Sequence, residues 1–302
     1  MTALLLGALG LTLSLLVPGL LVRARWTARA PGAAIVLWQS ITLAGILCAL
    51  GVALAGPQEL AYELGSGKPV GAALLIAALA VAGLIIVRLL VSLVRVSYRS
   101  RARRARHRML VDLLSSVERD GMLPAEARVL DGPLPFAYCL PGRHPRVVLS
   151  GGALQVLDEA QIGAVIAHEQ AHLRQRHELV MESFTAFYRA VPRPLRSPVP
   201  LQAVHLLLEM VADDAARRRS GAGPLRTALE VLGDAVSPDA PDEVGGTAAG
   251  ERLRRLDRLA GTDKRSVALN VGAFGLAAGL LVLPTVILVV PWLDRALTAW
   301  PL

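Results

Sequence analysis

The sequence predicts an α-helical membrane protein with four transmembrane helices and a cytoplasmic α+β domain between the third and the fourth. Three observations carry that expectation. Four apolar runs, at about 2–22, 33–54, 70–96 and 267–291, are each long enough to cross a hydrocarbon core of about 30 Å at about 1.5 Å per residue. Basic clusters follow the first and third runs and precede the fourth, as they do where a chain meets the inner face of a membrane. Finally, 54% of the residues are apolar and the mean hydropathy is +0.50, too high for a soluble domain and too low for a chain that is all membrane.

The first run, Thr2 to Val22, has its positive charges after it, at Arg23, Arg25 and Arg29, and carries no small-residue cleavage site. It is therefore expected to be a retained span and not a signal peptide. The second run, Ala33 to Leu54, contains Trp38 and Gln39 and leads into an expected loop, Gly56 to Pro69, with Glu59 and Glu63. The third, Val70 to Val96, is uninterrupted until Arg88, close enough to its end to snorkel. A dense basic segment follows, with Arg95, Arg99, Arg101, Arg103, Arg104, Arg106 and Arg108. The last run, Val267 to Pro291, contains Asn270 and Pro284 and is preceded by Arg252, Arg254, Arg255, Arg258, Lys264 and Arg265.

The positive-inside rule places these clusters together in the cytoplasm and both termini outside the cell membrane. The expected organisation is three spans within 1–98, a cytoplasmic domain over 99–266, and a fourth span with a short extracytoplasmic tail over 267–302. A net charge of +8 and a pI near 10.4 would suit a nucleic-acid partner, but no aromatic stacking residues or DNA-binding motif accompany the charge. The expected partner of the basic segments is the lipid bilayer, with no direct nucleic acid binding. Arginine nearly replaces lysine, whose only positions are Lys68 and Lys264, a bias that fits a GC-rich bacterial genome.

Within the cytoplasmic segment, Met109, Leu110, Leu113 and Leu114 mark an amphipathic helix from Arg106 to about Glu118. Three β-prone runs follow, Ala127–Leu130, Phe136–Leu140 and Arg146–Leu149, separated by the turn sequences Asp131-Gly132-Pro133 and Pro141-Gly142-Arg143. Asp158 with Gln161 three residues on reads as a capping box, and Ile162, Val165 and Ile166 continue a helical spacing. A helix ends at Arg219 or Ser220, another spans Leu225 to Leu232, and about 237–250, rich in Pro, Asp and Gly, reads as a flexible linker. Cys48 falls in a span and Cys139 in the sheet, so they are not expected to pair, and a reducing compartment fits.

The segment His168-Glu169-Gln170-Ala171-His172 is an H-E-x-x-H sequence within that helix. Histidines four apart leave one helical face and can reach a single zinc ion, while Glu169 can reach a water beside it as a general base. A third ligand is needed, and Glu209 is the best candidate. Asp213, one turn on, could hydrogen-bond a ligand histidine and fix its tautomer. His177, Glu178 and Glu182 point away from the histidine face if the first helix simply continues. His205, on the face of Glu209, stays open.

From Val148 to Ala215 the sequence resembles the membrane zinc metallopeptidases of the BlaR/MecR antirepressor type, whose H-E-x-x-H is followed by E-x-x-C/A-D-D-A. The second motif reads here Glu209-Met210-Val211-Ala212-Asp213-Asp214-Ala215. The zinc motif is also similar to that of the HtpX-type membrane proteases. That type places two spans before the motif, whereas the BlaR/MecR type places three before it and one after, the arrangement expected here. The resemblance implies a zincin-like metallopeptidase domain with zinc on His168, His172 and Glu209. In zinc peptidases of this kind an edge strand beside the zinc helix aligns the substrate, and Arg146, Val147, Val148 and Leu149 are the candidate docking strand. An equally open reading is that this strand only covers the helix.

Two departures stand out. Sensor members of the family continue past the last span into a penicillin-binding domain, whereas this sequence stops at Leu302, and a separate sensor protein, a signal through the spans or constitutive quality control of membrane proteins would each fit. The usual aromatic-Asn-Pro connection is replaced by the Arg- and Pro-rich Val191 to Pro200. The expected function is a membrane-anchored zinc-dependent endopeptidase acting on a protein at the cytoplasmic side, with a BlaI-type transcriptional repressor as the target that the resemblance implies. The oxyanion-stabilising group is open among His205, His177, Tyr188 and an arginine. The alternatives are an HtpX-like protease for membrane-protein quality control and a non-catalytic membrane signal transducer with a structural zinc site.

Overall fold

The computed structural model describes residues 1–116, 123–193, 196–233, 248–261 and 266–299. The chain divides into two compact units, one of Met1–Ser92, Arg189–Arg196 and Arg265–Leu302, the other of Leu93–Tyr188 and Ser197–Lys264.

The first unit is helical. Helix α1 (Thr2–Leu15) stops at Leu16 and restarts as α2 (Val17–Val22), because Pro18 supplies no amide hydrogen and suits a helix start. After a 3₁₀ turn over Arg25–Arg29, α3 runs from Pro31 to Gly65. The expected loop Gly56 to Pro69 is thus helical as far as Gly65. Pro57 removes one backbone hydrogen bond, yet Glu59, Leu60, Ala61, Glu63 and Leu64 beyond it are good helix formers. Glu59 in turn caps α1, accepting from the Met1 ammonium at 2.6 Å and from the Thr2 amide at 2.8 Å. Close packing of α1 on α3 depends on glycine, since a Cβ on Gly51 would fall 2.6 Å from the Leu6 side chain.

Helix α4 is continuous from Pro69 to Leu114. The sequence reading divided this stretch into a span and a separate amphipathic helix. From Leu84 to Leu114 there is no glycine or proline to part them, and the arginine-rich run is itself helix-favouring. Thr2–Val22, Pro31–Gly65, Pro69–Leu114 and Val267–Pro291 are each long and apolar enough to cross a membrane. The C-terminal helix runs from Val267 to Ala299, and its Ala273 packs with Ala30 and Ala33.

The second unit contains a four-stranded sheet of β1 (Ser115–Ser116), β2 (Ala127–Leu130), β3 (Ala137–Leu140) and β4 (Arg146–Ser150), in the order β1-β2-β4-β3. β2 and β4 are parallel and the other pairs antiparallel, with Val148 opposite both Arg128 and Tyr138. The expected docking strand is therefore not an edge. Val147, Val148 and Leu149 have a paired neighbour on both sides and Arg146 has one in β3, so the backbone of the triplet cannot take on a substrate strand. The reason is visible in the residues. Val147 and Leu149 enter one core with Val165 and Ile166, while Val148 enters another with Val111, Tyr138 and Leu140. An uninterrupted apolar triplet buried on both faces is the mark of a central strand. Arg146, at its start, is held by Asp112 at 2.7 Å.

Six helices follow among the described residues: α5 (Gly151–Val156), α6 (Glu159–Arg174), α7 (His177–Ala190), α8 (Val199–Ser220), α9 (Ala222–Leu232) and α10 (Ala248–Ala260). The capping box at the start of α6 is formed, with the Gln161 amide 2.8 Å from Asp158 Oδ1 and the Asp158 amide 3.2 Å from Gln161 Oε1. Most of the expected linker, 237–247, lies outside the described residues, and its last three positions, 248–250, already belong to α10.

Candidate metal centre

Helices α6 and α8 are brought close by small residues. Ala164 and Ala167 of α6 and Ala216 of α8 are almost wholly buried together with Leu225 of α9 and Leu259 of α10. Over that seam His168, His172 and Glu209 converge, offering ligand atoms that all lie within 4.8 Å of one another. The two Nε2 atoms are 3.1 Å apart, and the Glu209 oxygens lie 3.4 Å from that of His168 and 3.3 Å from that of His172.

The hydrogen bonds behind the histidines test whether a cation fits. His177 Nε2 is 3.2 Å from Gln175 Oε1, which only accepts, so that nitrogen carries the proton and His177 Nδ1 is an acceptor. His177 Nδ1 lies 2.8 Å from His172 Nδ1, which therefore donates, leaving His172 Nε2 with a bare lone pair. His168 Nδ1 faces Asp213 Oδ1 at 3.1 Å, an ion-pair contact rather than a well-aligned hydrogen bond, and again the proton belongs on Nδ1. With His168 neutral, two imidazole lone pairs and a carboxylate point at one place with no donor among them. That arrangement repels itself unless a cation is shared, and nitrogen and oxygen donors of this kind suit zinc.

In the metal-free chain a proton on His168 stands in for that cation. Burial keeps His172 neutral, with a pKa pushed down to about 3, and pushes His177 down to about 4. Burial also acts to neutralise His168, but the carboxylates of Asp213 and Glu209 outweigh it and raise its pKa to about 10 in the metal-free chain. Burial would lift Asp213 as well, yet Arg255 holds it at about 2, and Arg255 likewise keeps Glu209 well below the usual carboxylate range. Glu169, half-buried, is raised by burial, partly offset by His168 and by a hydrogen bond from Cys139 of β3.

Of the residues named from the sequence, His168, His172, Glu209 and Asp213 stand together. Glu169 lies close enough to feel His168, Glu209 and Arg255, and Arg146–Leu149 lie in the sheet beneath α6. His205 pairs with Glu251 of α10 at 3.3 Å, and Tyr188 is in the last turn of α7.

Two partners were not foreseen. His177 was expected to point away. Instead α6 stops, Arg176 takes a left-handed φ of 50°, and the new helix brings His177 back against His172. Arg255 was counted as membrane-facing charge. It is half-buried and pairs with Asp213, with Nε 2.8 Å from Oδ2 and Nη2 2.7 Å from Oδ1. The available signal was the amphipathic spacing of α10, which sets Arg255, Arg258 and Leu259 on one flank.

Residues 100–230, somewhat under half of the chain, match Peptidase family M48. A stretch of 74 residues is 39% identical to a protease HtpX homolog of Acidiphilium cryptum (strain JF-5), covering 24% of this chain and 25% of that protein. The chain thus spans about a quarter of that relative's length. No solved structure matches. This relative is of the HtpX type, which the number of spans before the motif had argued against. The chain thus holds a stretch similar to Peptidase family M48 and four helices long and apolar enough to cross a membrane.

Proposed function

We propose that this chain, with its M48-like stretch, is a membrane-anchored zinc-dependent endopeptidase that hydrolyses a protein on the cytoplasmic side of the cell membrane. The observation that carries this reading is the convergence of His168 Nε2, His172 Nε2 and the Glu209 carboxylate, with the Nδ1 atom of each histidine directed at its own partner. Zinc bound there would polarise the scissile carbonyl and bring the pKa of a water towards about 7. Glu169 takes the proton of the attacking water and passes it to the leaving amide nitrogen. A carboxyl raised by burial is well matched to that exchange. Asp213 holds His168 in its metal-binding tautomer and His177 does the same for His172.

Among the described residues the cluster offers three ligands, which leaves room for water and speaks against a structural zinc site closed by four protein ligands. Two substrate classes remain, each with its own support. Three candidate spans before the motif and one after it favour signalling with a cytoplasmic repressor of the BlaI type as target. The likeness to a protease HtpX homolog favours quality control of membrane proteins. The cytoplasmic placement rests on the basic residues flanking the spans, of which Arg99, Arg101, Arg103 and Arg254 are exposed.

The test is cleavage of casein and of a misfolded membrane protein by the detergent-purified full chain, before and after chelation. Cleavage lost on chelation and restored by zinc supports the peptidase. A zinc-loaded chain that cleaves neither, nor itself, supports the non-catalytic reading.

A further inference from the structure

α10 places a single guanidinium between the third metal ligand and the residue that orients the first. Arg255 Nη1 is 2.9 Å from Glu209 Oε2, while its Nε and Nη2 form a two-point pair with Asp213 at 2.8 and 2.7 Å. Glu209 and Asp213 are neighbours on one helical face, and Asp213 is fully buried. Without a cation between them two carboxylates in that position repel each other and lose their solvation. The planar fork of arginine suits the bridge because it can satisfy two carboxylates in fixed directions, which an ammonium cannot.

We propose that Arg255 is a positioning residue of the metal centre: it orients Glu209 towards the two histidines and Asp213 towards His168, and so makes α10 part of the site. The inference rests on the metal-centre reading above. Two effects oppose each other. A positive charge near the site repels a dication, which would weaken binding. Loss of orientation in two supporting groups costs more, because the removal of such partners typically lowers metal affinity about 10–100-fold.

A purely structural role for Arg255 in docking α10 has a built-in control. Arg258 also ties α10 to α8, through Asp214 at 2.9 Å and the Met210 carbonyl at 3.4 Å, groups other than the three candidate metal ligands.

The experiment measures zinc affinity by chelator competition, and the visible spectrum of the cobalt-loaded protein, for the detergent-solubilised full chain and for Arg255→Met, Arg255→Lys and Arg258→Met. The expected result is an affinity about 10–100-fold lower with an altered cobalt spectrum in Arg255→Met, a smaller loss in Arg255→Lys, and a wild-type spectrum and affinity in Arg258→Met. Far-UV circular dichroism of the metal-free proteins checks folding, and where Arg255→Met fails to fold the Arg255→Lys comparison decides. Wild-type affinity and spectrum in the Arg255 variants overturn the inference, as does an equal loss in Arg258→Met. A wild-type chain that takes up no zinc overturns the metal-centre reading and this one with it.

Discussion

His177 Nδ1 lies 2.8 Å from His172 Nδ1, although five residues and the end of a helix separate them in sequence. The contact fixes the His172 tautomer, with Gln175 at its far side. Replacing His177 with Phe, which keeps the ring volume and removes the acceptor, should lower zinc affinity about 10–100-fold. Chelator competition on the purified chain checks this. Unchanged affinity would mean that His172 needs no such partner.

A pH dependence follows from His205 and Glu251, which join α8 to α10. Burial acts to lower the His205 pKa, but the hydrogen bond to Glu251 outweighs it and the net direction is upward. A group raised in the folded state contributes stability that is fully present below its unfolded pKa of about 6.5 and is lost as pH rises through the folded value. Amide exchange in α10 should therefore be slower at pH 6 than at pH 9, after correction for intrinsic exchange. His205→Gln should remove that extra pH dependence and cost about 1 kcal/mol at the lower pH.

The sheet makes a third prediction. Leu149 is fully buried between β4 and α6, against Val165 and Ile166. Leu149→Ala should destabilise the metal-free protein by about 2–5 kcal/mol in denaturant unfolding, as a deleted core side chain does. A substitution there that impaired only substrate binding, with stability unchanged, would return β4 to the docking role.

Much of this was legible in the sequence, and the parts that were not share a physical cause. His168, Glu169 and His172 are four residues or fewer apart, and Asp158 with Gln161 announces their helix, so local periodicity suffices. Glu209 and Asp213 are likewise one turn apart. Arg255 and His177 reach the site through tertiary geometry instead, the one from α10 and the other across a left-handed residue at Arg176. Periodicity does not describe either step. β4 was misread because strand order is a long-range property, though Val147-Val148-Leu149 without a polar interruption carried the hint of an interior strand. α4 ran on because nothing in its sequence stops a helix.

The account stands most directly on Glu169. Zinc content and casein turnover should be measured side by side for the wild type, Glu169→Gln and His168→Ala. The expected result is full zinc with turnover reduced about 10²–10⁴-fold in Glu169→Gln, and loss of both in His168→Ala. Wild-type turnover by Glu169→Gln, or full zinc retained in His168→Ala, would contradict it.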